Sequence, residues 1–130
     1  MNRAGQLSLE YLLITAAFLS AFMLFIQLFS FIYSSSINAV DEKNAELFVS
    51  DFSYAVKELS VFGEGSSRTV MASPSGKWLV EISGKSLKLR LSSGKELAEG
   101  LSSEVEFPAR EIYEKTEFIL SKAASGIRVR

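Results

Sequence analysis

Between Tyr11 and Tyr33 the chain reads YLLITAAFLSAFMLFIQLFSFIY, and no charged residue occurs between Glu10 and Asp41. About 20 apolar residues suffice for a helix to cross the hydrocarbon core of a bilayer, so this run is long enough to span with some tilt. The tyrosines at its two ends suit the membrane interfaces. At its mouth stands a carboxylate, Glu10, preceded by two further polar residues, Gln6 and Ser8. A charge in hydrocarbon is unfavourable and generally has a use.

Three readings compete for this stretch. A secretory signal peptide needs a basic start, an apolar core of roughly 7–15 residues and a small-residue cleavage site. Arg3 and Ser34-Ser35-Ser36 would supply the ends, but the apolar core is too long. A plain single-pass anchor explains the length and the aromatic ends. It treats Glu10 as an interfacial charge among the headgroups and leaves Gln6 and Ser8 unexplained.

The third reading uses every residue of Arg3-Ala4-Gly5-Gln6-Leu7-Ser8-Leu9-Glu10-Tyr11. This run resembles the class III signal of archaeal type IV pilin-like proteins, Q-x-S-x-E-[YF] placed directly before a hydrophobic helix. Gln6, Ser8, Glu10 and Tyr11 match it, with Gly5 before the glutamine. The resemblance covers roughly the first 35 residues. It implies a membrane prepilin peptidase that cuts between Gly5 and Gln6 on the cytoplasmic side. Residues 1–5 would then be a cytoplasmic leader and 6–33 a transmembrane and filament-core helix. It also implies other copies of the chain or related pilins as partners, together with a pilus assembly ATPase and its membrane platform.

Cutting before Gln6 would free an α-amine four residues ahead of Glu10, one turn away on the same helical face. The carboxylate would lie near the positive end of its own helix dipole. In an assembled filament it would meet the amine of a neighbouring subunit, as the resemblance implies. At 4 Å and an effective dielectric near 20 such a pair contributes at most about 4 kcal/mol before desolvation is subtracted. Its main effect would be register between subunits.

Further along the run, Phe18, Phe22, Phe25 and Phe29 recur at helical spacing, and Ala17 with Ala21 forms a small-x-x-x-small pair. These residues predict a packing face for neighbouring subunits; the plainer reading is phenylalanine facing lipid.

No Gly or Pro occurs between Gln6 and Phe62, which predicts one long helix of about 80 Å. Residues 34–62 would be its amphipathic continuation. Ile37, Val40, Asn44, Leu47, Phe48, Phe52, Ala55, Val56 and Leu59 recur every three or four residues. Asp41, Glu42, Lys43, Glu46, Asp51, Lys57 and Glu58 fall mostly on the other side. The hydroxyls of Ser34-Ser35-Ser36 compete for backbone bonds and mark a point where the helix can bend. Arg3 and the N-terminal amine favour a cytoplasmic N-terminus, placing everything after Tyr33 outside the cell.

From Gly63 the pattern changes. GEGSSR, SPSGK, SGKS and SSGK read as turns. Between them RTVMA, KWLVEIS and SLKLRLS alternate as strands with one buried face, Trp78, Val80, Ile82, Leu87, Leu89 and Leu91 pointing inward. Glu104–Phe107, Lys115–Ser121 and Gly126–Arg130 read as further strands, with Pro108 at an edge or strand end. Short connections predict an antiparallel meander of about five to seven strands. Residues 63–130 make a small core alone, and the amphipathic half of the helix has the apolar face they lack. The predicted fold is therefore α+β, a long N-terminal helix packed on a C-terminal antiparallel sheet. The pilin resemblance implies the same arrangement.

The composition excludes much chemistry. The 130 residues include no cysteine and no histidine, which removes disulfides, thiolate metal sites and imidazole acid–base catalysis. The formal charge of −1 gives no reason to expect nucleic acid. Residues 1–60 carry 3 basic and 6 acidic side chains, residues 61–130 carry 11 and 9, and neither half is a charged arm. Ser66-Ser67, Ser92-Ser93 and Ser102-Ser103 have no histidine base. The SGK triplets at 75–77, 83–85 and 93–95 lack the spacing of a phosphate loop. The acidic stretch EVEFPAREIYEKTE, 104–117, reads as a solvated face rather than a cation site. The expectation is a structural protein, not an enzyme, with no cofactor. Adhesion through the head is a further role, and the rival is a membrane-anchored extracellular binding domain that never polymerises.

Overall fold

The computed structural model describes residues 3–130, so the first two residues of the expected leader lie outside the described residues. One helix, α1 (Arg3–Val61), is followed by eight strands: β1 (Ser67–Ala72), β2 (Trp78–Ser83), β3 (Ser86–Leu91), β4 (Glu96–Gly100), β5 (Val105–Glu106), β6 (Arg110–Ile112), β7 (Thr116–Ala123) and β8 (Gly126–Val129). The fold is α+β. The chain divides into two compact units between Ser36 and Ile37.

The first unit is the N-terminal part of α1. Three of its hydroxyls bond to its own backbone. Thr15 Oγ1 donates to the Tyr11 carbonyl, Ser20 Oγ to that of Ala16 and Ser34 Oγ to that of Ser30, each at 2.8 Å. The serine triplet does not end the helix, because a hydroxyl bonded to the carbonyl one turn back leaves the backbone ladder in place.

In the second unit, residues 37–61 of α1 pack on both of two four-stranded sheets, ordered β1-β7-β8-β5 and β4-β3-β2-β6. The buried stripe is Asp41, Ala45, Phe48, Val49, Phe52, Ala55, Val56 and Leu59. Phe48 is the pivot. Its ring lies 5.9 Å from Trp78 on β2 and 5.5 Å from Phe118 on β7, one from each sheet, and 5.8 Å from Phe52. Tilted aromatic pairs at such distances add to the gain from burying their area.

The strands alternate as their sequence predicts. Leu87, Leu89 and Leu91 are buried while Lys88 and Arg90 are exposed. Trp78, Val80 and Ile82 oppose them directly in the β2–β3 register, at Leu91, Leu89 and Leu87. The connecting turn places Gly84 at φ +58°, the first central position of a two-residue hairpin loop, where a side chain would be strained. The second hairpin, Ser92-Ser93-Gly94, has Gly94 at φ +88°. The glycine and lysine of all three SGK triplets lie in the connections between strands, and Ser83 ends β2.

The structure corrects two details. The sheet is not a single meander. Consecutive strands are neighbours only in β2-β3-β4 and in the β7-β8 hairpin; β1 pairs with β7, β6 pairs with β2, and β5 pairs with β8 in parallel. Side-chain matching decides this: Val70 on β1 stands directly opposite Phe118 on β7, so both face the helix. The helical stripe also differs from the predicted one. Val40 and Leu47 are about half exposed (54% and 53%), whereas Asp41, expected on the solvent side, is 3% exposed. The buried stripe is centred one position further along, because Ala45 admits the sheet closely and Asp41 meets polar partners there.

Candidate functional site

The described residues contain one helix long and apolar enough to cross a membrane, and none of its most apolar stretch is covered by the rest of the chain. Every expected signal residue lies on it. Gly5, Gln6, Ser8, Glu10 and Tyr11 are helical and exposed, and nothing crowds Gly5. Gln6 and Glu10 stand one turn apart on one face. Because α1 begins at Arg3, Glu10 lies about 10 Å along the axis from the helix start. The macrodipole acts mainly within the first turn. Glu10 is thus only weakly compensated by the helix dipole.

The structure brings most of the predicted packing residues together. Phe18, Ala21, Phe22, Phe25 and Phe29 line one open apolar groove with Ile26. The rings of Phe18 and Phe22 stack, 6.5 Å between centroids and 14° between planes. Ala17 does not line this groove. At about 100° per residue it falls on the Glu10 side of the helix, two turns beyond that carboxylate.

The head has polar clusters of a different kind. Asp41 is the one the sequence pattern misses. Its Oδ1 accepts from the Ser75 backbone N–H at 2.8 Å and from the Trp78 indole at 2.9 Å. Asn44 Nδ2 donates to the Ser73 carbonyl at 3.2 Å, so the 73–77 turn is fastened to α1 at two points. A side chain at Gly76 would lie 2.6 Å from Ser92 Oγ, which keeps that turn close. Two exposed clusters flank it. Lys95 Nζ contacts Glu42 Oε2 at 2.9 Å, and this partner raises the lysine pKa. Lys77 Nζ contacts Glu111 Oε1 at 2.8 Å while Tyr113 donates to Glu111 Oε2 at 2.8 Å. The lysine and the tyrosine hold the Glu111 carboxyl below its ordinary range, and Glu111 raises Lys77. These pairs fasten elements together and do not converge on a cavity. Among the described residues no three His, Cys, Asp or Glu side chains are gathered to hold a metal ion. The 104–117 carboxylates are dispersed over β5, β6, the start of β7 and their connections.

No protein family, curated protein or solved structure matches this chain. Fold and helix together define its class: an α+β head on the second part of a helix whose first part is a candidate membrane span.

Proposed function

We propose that this chain is the structural subunit of an archaeal type IV pilus-like surface filament. It is made as a membrane prepilin with its N-terminus in the cytoplasm. A prepilin peptidase cleaves it between Gly5 and Gln6, and an assembly ATPase with its membrane platform polymerises it through α1. The bundled helices form the filament core, and the head forms the extracellular surface, with adhesion as its further role. The observation that carries this reading is Gln6, Ser8, Glu10 and Tyr11 at the head of an apolar, uncovered helix that continues into a helix-on-sheet head. A plain anchor needs the length but not the polar set before it.

Glu10 is the residue assigned to assembly chemistry, pairing with the α-amine that cleavage creates. Phe18, Ala21, Phe22, Phe25 and Phe29, with Ala17 beside them, provide apolar contact area in the core. Peptide mass spectrometry of the native protein from its own cells tests the reading. The expected N-terminus is Gln6. A chain that begins at Met1 or Asn2 is a fixed anchor bearing a binding domain. One that begins near Ile37 is a secreted domain, which ends the filament reading.

A further inference from the structure

The side of α1 opposite the phenylalanines carries a second pattern that the filament reading does not use. Leu13, Ser20, Gln27 and Ser34 are spaced by sevens, with Ala16, Met23 and Ser30 between them at the complementary positions. At about 100° per residue this seam faces away from the stripe of Phe18, Phe22, Phe25 and Phe29. Apart from Leu13 and Met23 it holds small and polar residues, with Ser30 at its border, where it also lines the phenylalanine groove. Ser20 and Ser34 satisfy their hydroxyls on their own helix, through the Ala16 and Ser30 carbonyls at 2.8 Å. Gln27, midway between them, is exposed, and among the described residues its carboxamide makes no hydrogen bond like those of the two serines. In hydrocarbon such a group is unfavourable until it meets a partner.

We propose that this seam pairs two copies of the chain in the membrane as a parallel, two-fold symmetric helix dimer centred on Gln27. The carboxamide itself selects the occupant. It has a donor and an acceptor in one plane, so two copies on a two-fold axis satisfy each other with reciprocal N–H to O=C bonds. Both copies insert in the same direction, which makes the pair parallel and places residue 27 opposite residue 27. Ser20, Ala16 and Ser30 flank it with small side chains that permit close approach. A repeat of seven on a 3.6-residue helix drifts by about 20° per heptad and sets a left-handed crossing. The phenylalanine side is left for lipid in this dimer. The inference rests on α1 crossing a bilayer and not on cleavage or polymerisation.

The absence of native cysteine allows a direct test on the full chain reconstituted in lipid vesicles. Ser20→Cys and Ser34→Cys on the seam, and Phe18→Cys and Phe25→Cys opposite, are each oxidised with copper phenanthroline, and disulfide-linked dimers are read on gels. Linking is expected at 20 and 34 and to be weak at 18 and 25. Adding Gln27→Leu to the Ser20→Cys chain is expected to weaken dimerisation about three- to thirty-fold, the range for one interhelical polar contact. Gln27→Asn, which keeps a carboxamide, is expected to retain part of it. Equal linking on both sides, a monomeric wild-type chain, no response to Gln27→Leu, or failure of the chain to co-float with the vesicles each overturns the proposal. An N-terminus at Met1 or Asn2 ends the filament reading without touching this one, whereas a start near Ile37 removes the seam and overturns both.

Discussion

From Arg3 to Ser36, α1 closes the hydroxyls of Thr15, Ser20 and Ser34 on its own carbonyls and leaves its large apolar side chains exposed. From Ile37 to Val61 the same helix buries one stripe and sends Asp41, Asn44 and Glu58 to partners on the strands. The second part finds its hydrophobic cover within the chain; the first does not. A run of exposed Leu, Ile and Phe with no charge after Glu10 is incompatible with water, so its cover must come from lipid or other chains. The difference also separates the two kinds of polar residue on the helix. Those of the head hold tertiary structure, and those of the apolar run either bond to their own helix, as Thr15, Ser20 and Ser34 do, or are exposed, as Glu10 and Gln27 are.

The strongest way to break this contrast is to remove Phe48. Its ring joins Phe52, Trp78 and Phe118 and is 2% exposed. Phe48→Ala is expected to destabilise the head by about 3–5 kcal/mol, from lost burial plus the cavity it leaves. The same change at Phe25, which is 58% exposed, is expected to leave head unfolding unchanged. Thermal melts of the full chain in detergent, followed by Trp78 fluorescence, compare the two. Equal losses would mean that the apolar run contributes to the head.

Asp41 comes next. Truncation to Ala strands the Trp78 indole and the Ser75 N–H in a dry site, a cost of about 1–3 kcal/mol for each buried group that stays unpaired. Asp41→Asn keeps an oxygen where both donors point and is expected to cost less than half as much as Asp41→Ala. Denaturant melts of the two variants check the order. If Asn is as damaging as Ala, the negative charge matters more than the acceptor.

Asp41 also shows what the sequence hides. Its partner Trp78 is 37 residues away, and no local period marks a carboxylate as buried. Periodicity alone therefore assigns it to solvent and draws Val40 and Leu47 inward. The strands with clean alternation, β2 and β3, were legible because Trp78, Val80, Ile82 and Leu87, Leu89, Leu91 have no exceptions. β4 was silent because Leu97 is its only partly buried side chain, and β6 because three residues with one inward Ile112 make no pattern. Pairing of β1 with β7 depends on Val70 meeting Phe118, 48 positions further along the chain, which short-connection rules do not reach. The length and apolarity of α1, by contrast, are properties of composition and the absence of Gly and Pro, and those were readable directly.

Leu47 sharpens the comparison at lower amplitude. It is 53% exposed beside buried Phe48 and Val49. Leu47→Ser is expected to change head stability by no more than about 0.5 kcal/mol, as surface substitutions do. Val49→Ser, which places a hydroxyl in the stripe, is expected to cost several times more. Equal effects would restore the predicted stripe through Val40 and Leu47.

The smallest expected effect is that of pH on the exposed triad of Lys77, Glu111 and Tyr113. Lys77 and the Tyr113 hydroxyl lower the Glu111 pKa from its ordinary 4.5. Unfolded chain therefore binds the proton more readily than folded chain, and the stabilising contribution is present above pH 4.5 and lost as pH falls through the lowered folded value. Lys77 has the opposite sign. Its pKa is raised above 10.5, so its contribution holds below pH 10.5 and disappears as pH rises through the raised value. Both groups are solvent-exposed, and salt screens them. Glu111→Gln is expected to remove the acid-side slope attributable to this pair, with a smaller difference from wild type at high ionic strength. Melting temperatures of the two chains between pH 3 and 6, at low and high salt, measure it. A difference that persists unchanged in high salt would mean that Glu111 acts through its hydrogen bond from Tyr113 rather than through charge. The β2–β6 edge would then be held as Asp41 holds the 73–77 turn, by a fixed acceptor.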